Sequence, residues 1–360
     1  MRRALLFLVV LAAVVAVAAF DVPSDAATVN GVGISRATLN SDLGVIKSTP
    51  TYQCYLAASL ALQSQDLATL PALQGAGGAK TVNTRFADFW LSQLVNNELI
   101  DQLAAKRHLA VTAADLAAGR TDLVNSISAT LTEVAQASGS SGVCAPDGTS
   151  VLDAVPANFA QRLVASQAAG DVVLAAASGY GLGPAQLASF YAGHRSDFDT
   201  VCLSAIETAT EAAATTARAE IEGGLPFALV AQTTSTDTTS AAEGGAIGCF
   251  APTDPAYASV TQDITGLAVG AVSQPKDDSG NYILLEITSR QPTSFAAAGD
   301  AVRQAVLAAG AKGADSELKA MTKDSHVTID PRYGTWGGGS TISVEPPANP
   351  PTSALLNPAG

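Results

Sequence analysis

The chain has 360 residues, of which 48% are hydrophobic and only 14% charged, with a formal net charge of −13. At roughly 150 residues per domain, that length suggests two domains with a sizeable core. The balance of 19 basic against 32 acidic residues excludes the clustered Lys and Arg that bind nucleic acid or an anionic membrane surface.

Met1-Arg2-Arg3 followed by an uncharged apolar run over residues 4–20 reads as a signal peptide or a single N-terminal anchor, occupying residues 1–26. Ala16-Val17-Ala18 and Ser24-Asp25-Ala26 both fit the small-x-small cleavage rule. Cleaved or retained, the segment places the body outside the cytoplasm, secreted or held on the outer face of the cytoplasmic membrane. Four cysteines, Cys54, Cys144, Cys202 and Cys249, contain no CxxC spacing, so zinc is disfavoured and two disulfides are expected. Three connectivities stay open. Shared domain membership favours Cys54–Cys144 and Cys202–Cys249.

Ala27 to Ser35 predicts two short strands around the Asn30-Gly31 turn, then a helix capped by Ser35 with Leu39, Leu43 and Ile46 inward. Residues 86–107 carry Phe89, Leu91, Leu94, Val95, Leu99, Ile100 and Leu103 at helical spacing. Thr112 and Asp115 suggest a capping box, residues 138–149 a Ser/Gly loop, and 158–177 and 185–193 further helices. The character changes near Asp197. Strands are expected at 201–206, 246–250 and 281–288, with helices at 210–222, around Phe227, and at 260–267. A helix over 295–322, a strand over 326–331 and a disordered Pro/Gly-rich tail over 334–360 complete the reading. The fold class is α+β, with an α+β module inserted into a split helical domain.

Enzyme signatures such as a P-loop, a G-x-S-x-G elbow or HExxH are missing. His108, His194 and His326 read as solvated residues near helix ends. The module over 196–291 resembles a parvulin-type (PpiC-type) peptidyl-prolyl isomerase domain. The residues that carry the resemblance are Ser235-Thr236-Asp237, Gly244-Gly245-Ala246-Ile247-Gly248-Cys249-Phe250, Gly270-Ala271-Val272-Ser273-Gln274-Pro275 and Asp278-Ser279-Gly280-Asn281-Tyr282-Ile283-Leu284. The flanks, residues 27–195 and 292–333, resemble the helical chaperone half of SurA- and PrsA-like exported foldases, in which the C-terminal segment packs back on the N-terminal half.

The resemblance implies a folding factor that binds unfolded exported proteins at X-Pro segments and needs no cofactor or metal. Asp237 falls on the family's Cys/Asp position, seven residues before Gly244, with Ser235 also matching. The two supporting histidines fall on Ala205 and Tyr282, and Tyr282 is expected to donate a hydrogen bond to Asp237. Phe250 and Tyr257 are the candidate aromatic walls of the proline pocket, whose methionine position falls near Asp254. Such replacements imply weak or absent isomerase activity. The other open reading is a non-catalytic envelope chaperone or scaffold.

Overall fold

A computed structural model of the chain describes residues 25–64, 75–78, 80–139, 144–253, 257–264, 266–337, 343–348 and 354–355. The expected signal or anchor over 4–20, both candidate cleavage sites up to Ser24, Asp254 and much of the tail lie outside these residues.

In chain order the elements begin with β1 (Asp25–Val29), β2 (Val32–Ser35), α1 (Arg36–Ser48), α2 (Pro50–Ser64) and β3 (Thr81–Val82). There follow α3 (Thr84–Lys106), α4 (Ala113–Ser138), α5 (Gly148–Asp153), α6 (Ala157–Ala177) and α7 (Pro184–Gly193). Next come β4 (Thr200–Thr208), α8 (Glu211–Glu222), α9 (Phe227–Thr234), α10 (Thr238–Ala242), β5 (Ala246–Phe250) and α11 (Ala258–Ile264). Last are β6 (Lys276–Asp278), β7 (Asn281–Gln291), α12 (Phe295–Asp324), β8 (Val327–Ile329), β9 (Thr335–Trp336), β10 (Val344–Glu345) and β11 (Ala354–Leu355). The mix is α+β. No helix among the described residues is long and apolar enough to cross a membrane.

Two compact units divide the chain: residues 1–174 with 312–360, and residues 175–311. The second unit therefore extends beyond the 196–291 module on both sides, because α7 and the start of α12 cluster with it.

In the first unit, Asn30 and Gly31 adopt φ of 52° and 87°, the positive values that a two-residue hairpin turn requires. The turn is locked from the far end of the chain. Asn30 Oδ1 accepts the His326 N–H at 2.8 Å, and β1 pairs antiparallel with both β2 and β8. Ala26 is fully buried in β1 and its carbonyl accepts the Asp330 N–H, so cleavage after Ala26 would cut into this strand. Ser35 caps α1 by accepting the Thr38 N–H, and Leu39, Leu43 and Ile46 are buried. Thr112 and Asp115 form the reciprocal capping box that opens α4. Helix α3 buries Phe86, Trp90, Leu91, Val95, Leu99 and Leu103, while Phe89, Leu94 and Ile100 lie half-buried on its flanks. Trp90 Nε1 donates to Asp42, which also pairs with Arg162. A disulfide joins Cys54 to Cys144.

The expectation of a disordered tail over 334–360 is corrected where the tail is described. β9 pairs with β10, β11 pairs with β3, and the buried Val344 donates its N–H to Ser92 Oγ at 2.8 Å. Val344 joins the apolar core around α3, and that burial is what composition alone hides. A further strand of the first half, β3, finds its partner β11 in the tail.

The second unit contains a four-stranded antiparallel sheet of order β5-β4-β7-β6. Strand residues alternate between faces, so the sheet carries two separate cores. On one face Ile206 and Leu284 pack with Ala214 and Ala217 of α8 and Phe227, Val230 and Ala231 of α9. On the other, Val201, Leu203, Leu285 and Ile287 pack with Phe250 and Ile264. Cys202 and Cys249, paired across β4 and β5, form the second disulfide.

Candidate functional site

The second face of the sheet opens into a cleft of about 260 Å³. Its floor is apolar: Ala205 from β4, Ile283 and Leu285 from β7, Val260 from α11 and Ile247 from β5. Two-residue alternation explains the set, since Ala205 and Glu207 share one face of β4, and Ile283 and Leu285 share the matching face of β7. The wall is acidic. Glu207, Asp237, Asp263, Asp277 and Asp278 line the cleft, with Lys276 as the one cation among the described lining residues. Lys276 Nζ sits 2.7 Å from both Asp263 oxygens.

Asp237 is the N-cap of α10. Its carboxylate accepts the Ser240 hydroxyl at 2.5 Å and the Thr239 N–H at 3.0 Å. The Ser240 hydrogen bond, first, and then the Thr239 N–H hold its pKa below the usual carboxylate value, so it is ionised at neutral pH. Ser235 does not line the cleft. Its hydroxyl accepts the Glu207 N–H at 3.1 Å, and the Thr236 N–H reaches the Glu207 carbonyl at 2.8 Å, which ties the loop carrying Asp237 to β4. Gly244 and Gly245, with φ of 71° and 85°, bring the chain back to β4, where Ala205 donates its N–H to the Gly245 carbonyl at 2.8 Å. A Cβ on Gly245 would lie 2.5 Å from the Ala205 carbonyl oxygen, closer than any real contact.

The structure gathers only part of the expected set. Asp237 and Ala205 meet in the cleft. The expected Tyr282–Asp237 hydrogen bond is corrected: Tyr282 packs against the α8–α9 core on the opposite sheet face, with Ile206 and Leu284. Register decides this, because Tyr282 pairs with Thr208, one residue out of phase with Ala205 and Glu207. The neighbouring Asn281 instead reaches the cleft side, donating its amide to the Glu207 carboxylate. Phe250 and Tyr257 stack with ring centroids 4.2 Å apart and an interplanar angle of 11°. Neither ring lines the cleft; Phe250 belongs to the core beneath its floor.

Sequence reasoning missed Glu207, Ser240, Asp263, Lys276 and Asn281. The signal for Glu207 was available, two residues beyond Ala205 on a strand. Asp263 and Lys276 come from separate elements and carry no such mark. Of the histidines, His194 caps the end of α7 and stacks on Phe190 at 4.1 Å, and none lines the cleft. No group of three or more His, Cys, Asp or Glu among the described residues is placed to hold a metal ion.

Residues 203–289 match the rotamase family, described as the PPIC-type PPIASE domain. The chain is 38% identical over 86 residues to the chaperone SurA of Xanthomonas oryzae pv. oryzae strain MAFF 311018. That stretch covers 24% of this chain and 18% of the relative, so the chain matches less than a fifth of that protein's length. Among solved structures, the peptidylprolyl isomerase PrsA from Bacillus cereus is 15% identical with a TM-score of 0.38, covering 67% of this chain and 83% of that one. The parvulin domain of PpiD from E. coli is 23% identical with a TM-score of 0.23, covering 27% and 92%. The cleft described above lies within the segment that matches the PPIC-type model.

Proposed function

We propose that this cleft binds X-Pro segments of unfolded exported proteins and isomerises them, making the chain an extracytoplasmic folding factor. The observation that carries the reading is the apolar floor of Ala205, Ile283 and Leu285 beside the ionised Asp237, inside the segment that matches the isomerase family. The uncatalysed barrier is about 18–20 kcal/mol, because rotation breaks amide conjugation. A catalyst has to seat the pyrrolidine ring and favour the twisted amide, whose charge separation is smaller than that of the planar one. An apolar floor suits the ring. A carboxylate beside the carbonyl oxygen disfavours the polar, conjugated form and so lowers the cost of the twist. The helical part, residues 27–195 with 292–333, is assigned to client binding, and residues 1–26 to export or anchoring.

A second reading is favoured by one specific feature. Asp237 is already engaged by Ser240 and Thr239 as a helix cap, and Ala205 and Tyr282 supply no polar support to it. On that reading the domain binds client segments without isomerising them. Exchange NMR on a Pro-containing peptide with the whole chain separates the two. Acceleration of cis–trans exchange that Asp237→Ala lowers about tenfold or more, an effect of about 1.4 kcal/mol on the barrier, supports catalysis. Peptide binding without acceleration supports the binding module. Neither binding nor acceleration, from a folded chain, refutes both.

A further inference from the structure

The acidic wall of the cleft is the feature that the isomerase reading leaves without a use. Prolyl isomerisation requires at most one ionised group near the amide, yet five carboxylates surround this floor in a chain with only 14% charged residues. Their charge is largely uncompensated. Asp263 is matched by Lys276, but Glu207 is met by the neutral Asn281 amide and Asp237 by a hydroxyl and a backbone N–H. Asp277 accepts, among the described residues, the Gly280 N–H at 3.3 Å. A concave site with a low-dielectric floor concentrates the field of such groups on whatever enters it.

We infer that the cleft selects proline segments that carry a Lys or Arg beside the proline, the ring resting on Ala205, Ile283 and Leu285 while the cation meets the acidic wall. This rests on the peptide-binding reading of the cleft and adds the substrate class to it. Acidic segments are rejected by the same groups, since like charges brought together oppose association. The wall draws on β4, α10, α11 and β6 together, so it belongs to the tertiary site and not to one charged stretch.

The test uses the whole chain and three blocked peptides, Ala-Xaa-Pro-Phe with Lys, Leu or Glu as Xaa. Binding and cis–trans exchange are both followed by NMR at low salt and at about 0.5 M salt, where the screening length falls to a few ångströms. Lys is expected to exceed Glu in affinity by about tenfold or more at low salt, a difference of about 1.4 kcal/mol. High salt should reduce the ratio to about threefold or less. The double change Asp277→Asn with Asp278→Asn, at exposed positions, should lower the Lys-to-Glu ratio; the ratio is read so that a general loss of binding does not mimic the effect. Equal affinity for all three peptides overturns the substrate class while the peptide-binding reading stands. Failure to bind any of them overturns both. Binding of the Lys peptide without faster exchange supports the selectivity and refutes catalysis alone.

Discussion

Asp88 gives the fold a measurable dependence on pH. It lies on α3 with 2% of its surface exposed, and neither carboxylate oxygen has a hydrogen-bond partner among the described residues. Burial pushes its pKa from 3.8 up to about 7. A rise of about 3 units, at about 1.36 kcal/mol each, corresponds to about 4 kcal/mol between the two protonation states. The folded-state value is the raised one, so the fold prefers the protonated acid. The cost is therefore absent below the unfolded value near pH 4, grows as pH rises, and is complete above about pH 7. Asp88→Asn removes the titration and keeps the shape. Both tryptophans, Trp90 and Trp336, belong to the first unit, so their fluorescence during urea unfolding reports that unit alone. Asp42 and Asp101 are also pushed up by burial, but their contribution is common to both proteins and cancels in the difference. The variant should match the parent near pH 4 and exceed it by about 2–4 kcal/mol at pH 8. Parallel stability profiles from pH 4 to 8 would refute the claim that this carboxylate is buried without a partner.

Two further changes test the cleft. Gly245→Ala places a Cβ 2.5 Å from the Ala205 carbonyl at a φ of 85°, so calorimetry should show the domain losing about 2–4 kcal/mol; an unchanged transition would mean the Gly-Gly return is not tight. Ser240→Ala removes the hydrogen bond that contributes most to holding the Asp237 pKa down. A carbon-detected NMR titration should find that pKa moved up toward the ordinary carboxylate value. Because the folded-state value is depressed, the stability the group contributes is present above the unfolded pKa and is lost as pH falls through the folded one. The variant should lose part of that pH dependence, the Thr239 N–H keeping the rest, and an unmoved Asp237 signal would assign the shift elsewhere.

The sequence carried the local signals well. Asn30-Gly31, the Ser35 cap and the Thr112–Asp115 capping box all rest on neighbours within a few residues, where backbone sterics and short hydrogen bonds decide the geometry. The spacing of apolar residues located α3 but not which of them reach the core, since Phe89 and Leu94 fall on its flanks. The tail misled for a related reason. A run of Gly and Pro reads as disordered by composition, yet Val344 finds a buried place beside α3 more than 200 residues earlier in the chain.

The candidate site shows where legibility ends. The parvulin resemblance pointed to Asp237 and Ala205, and both line the cleft. Tyr282 could not be placed in this way, since side-chain direction on β7 depends on its register with β4, and that register shifts between Cys202 and Leu203. One residue of phase moves a side chain from cleft to core. Alone, the sequence indicated most of the helices, though not α2 (Pro50–Ser64), and the tight turns, all products of short-range geometry. Only the tertiary structure decided that Tyr282 faces away, that residues 335–336, 344–345 and 354–355 pair as strands, and that five carboxylates from separate segments share one wall. Those facts depend on strand pairing and burial between distant segments, which no local pattern encodes.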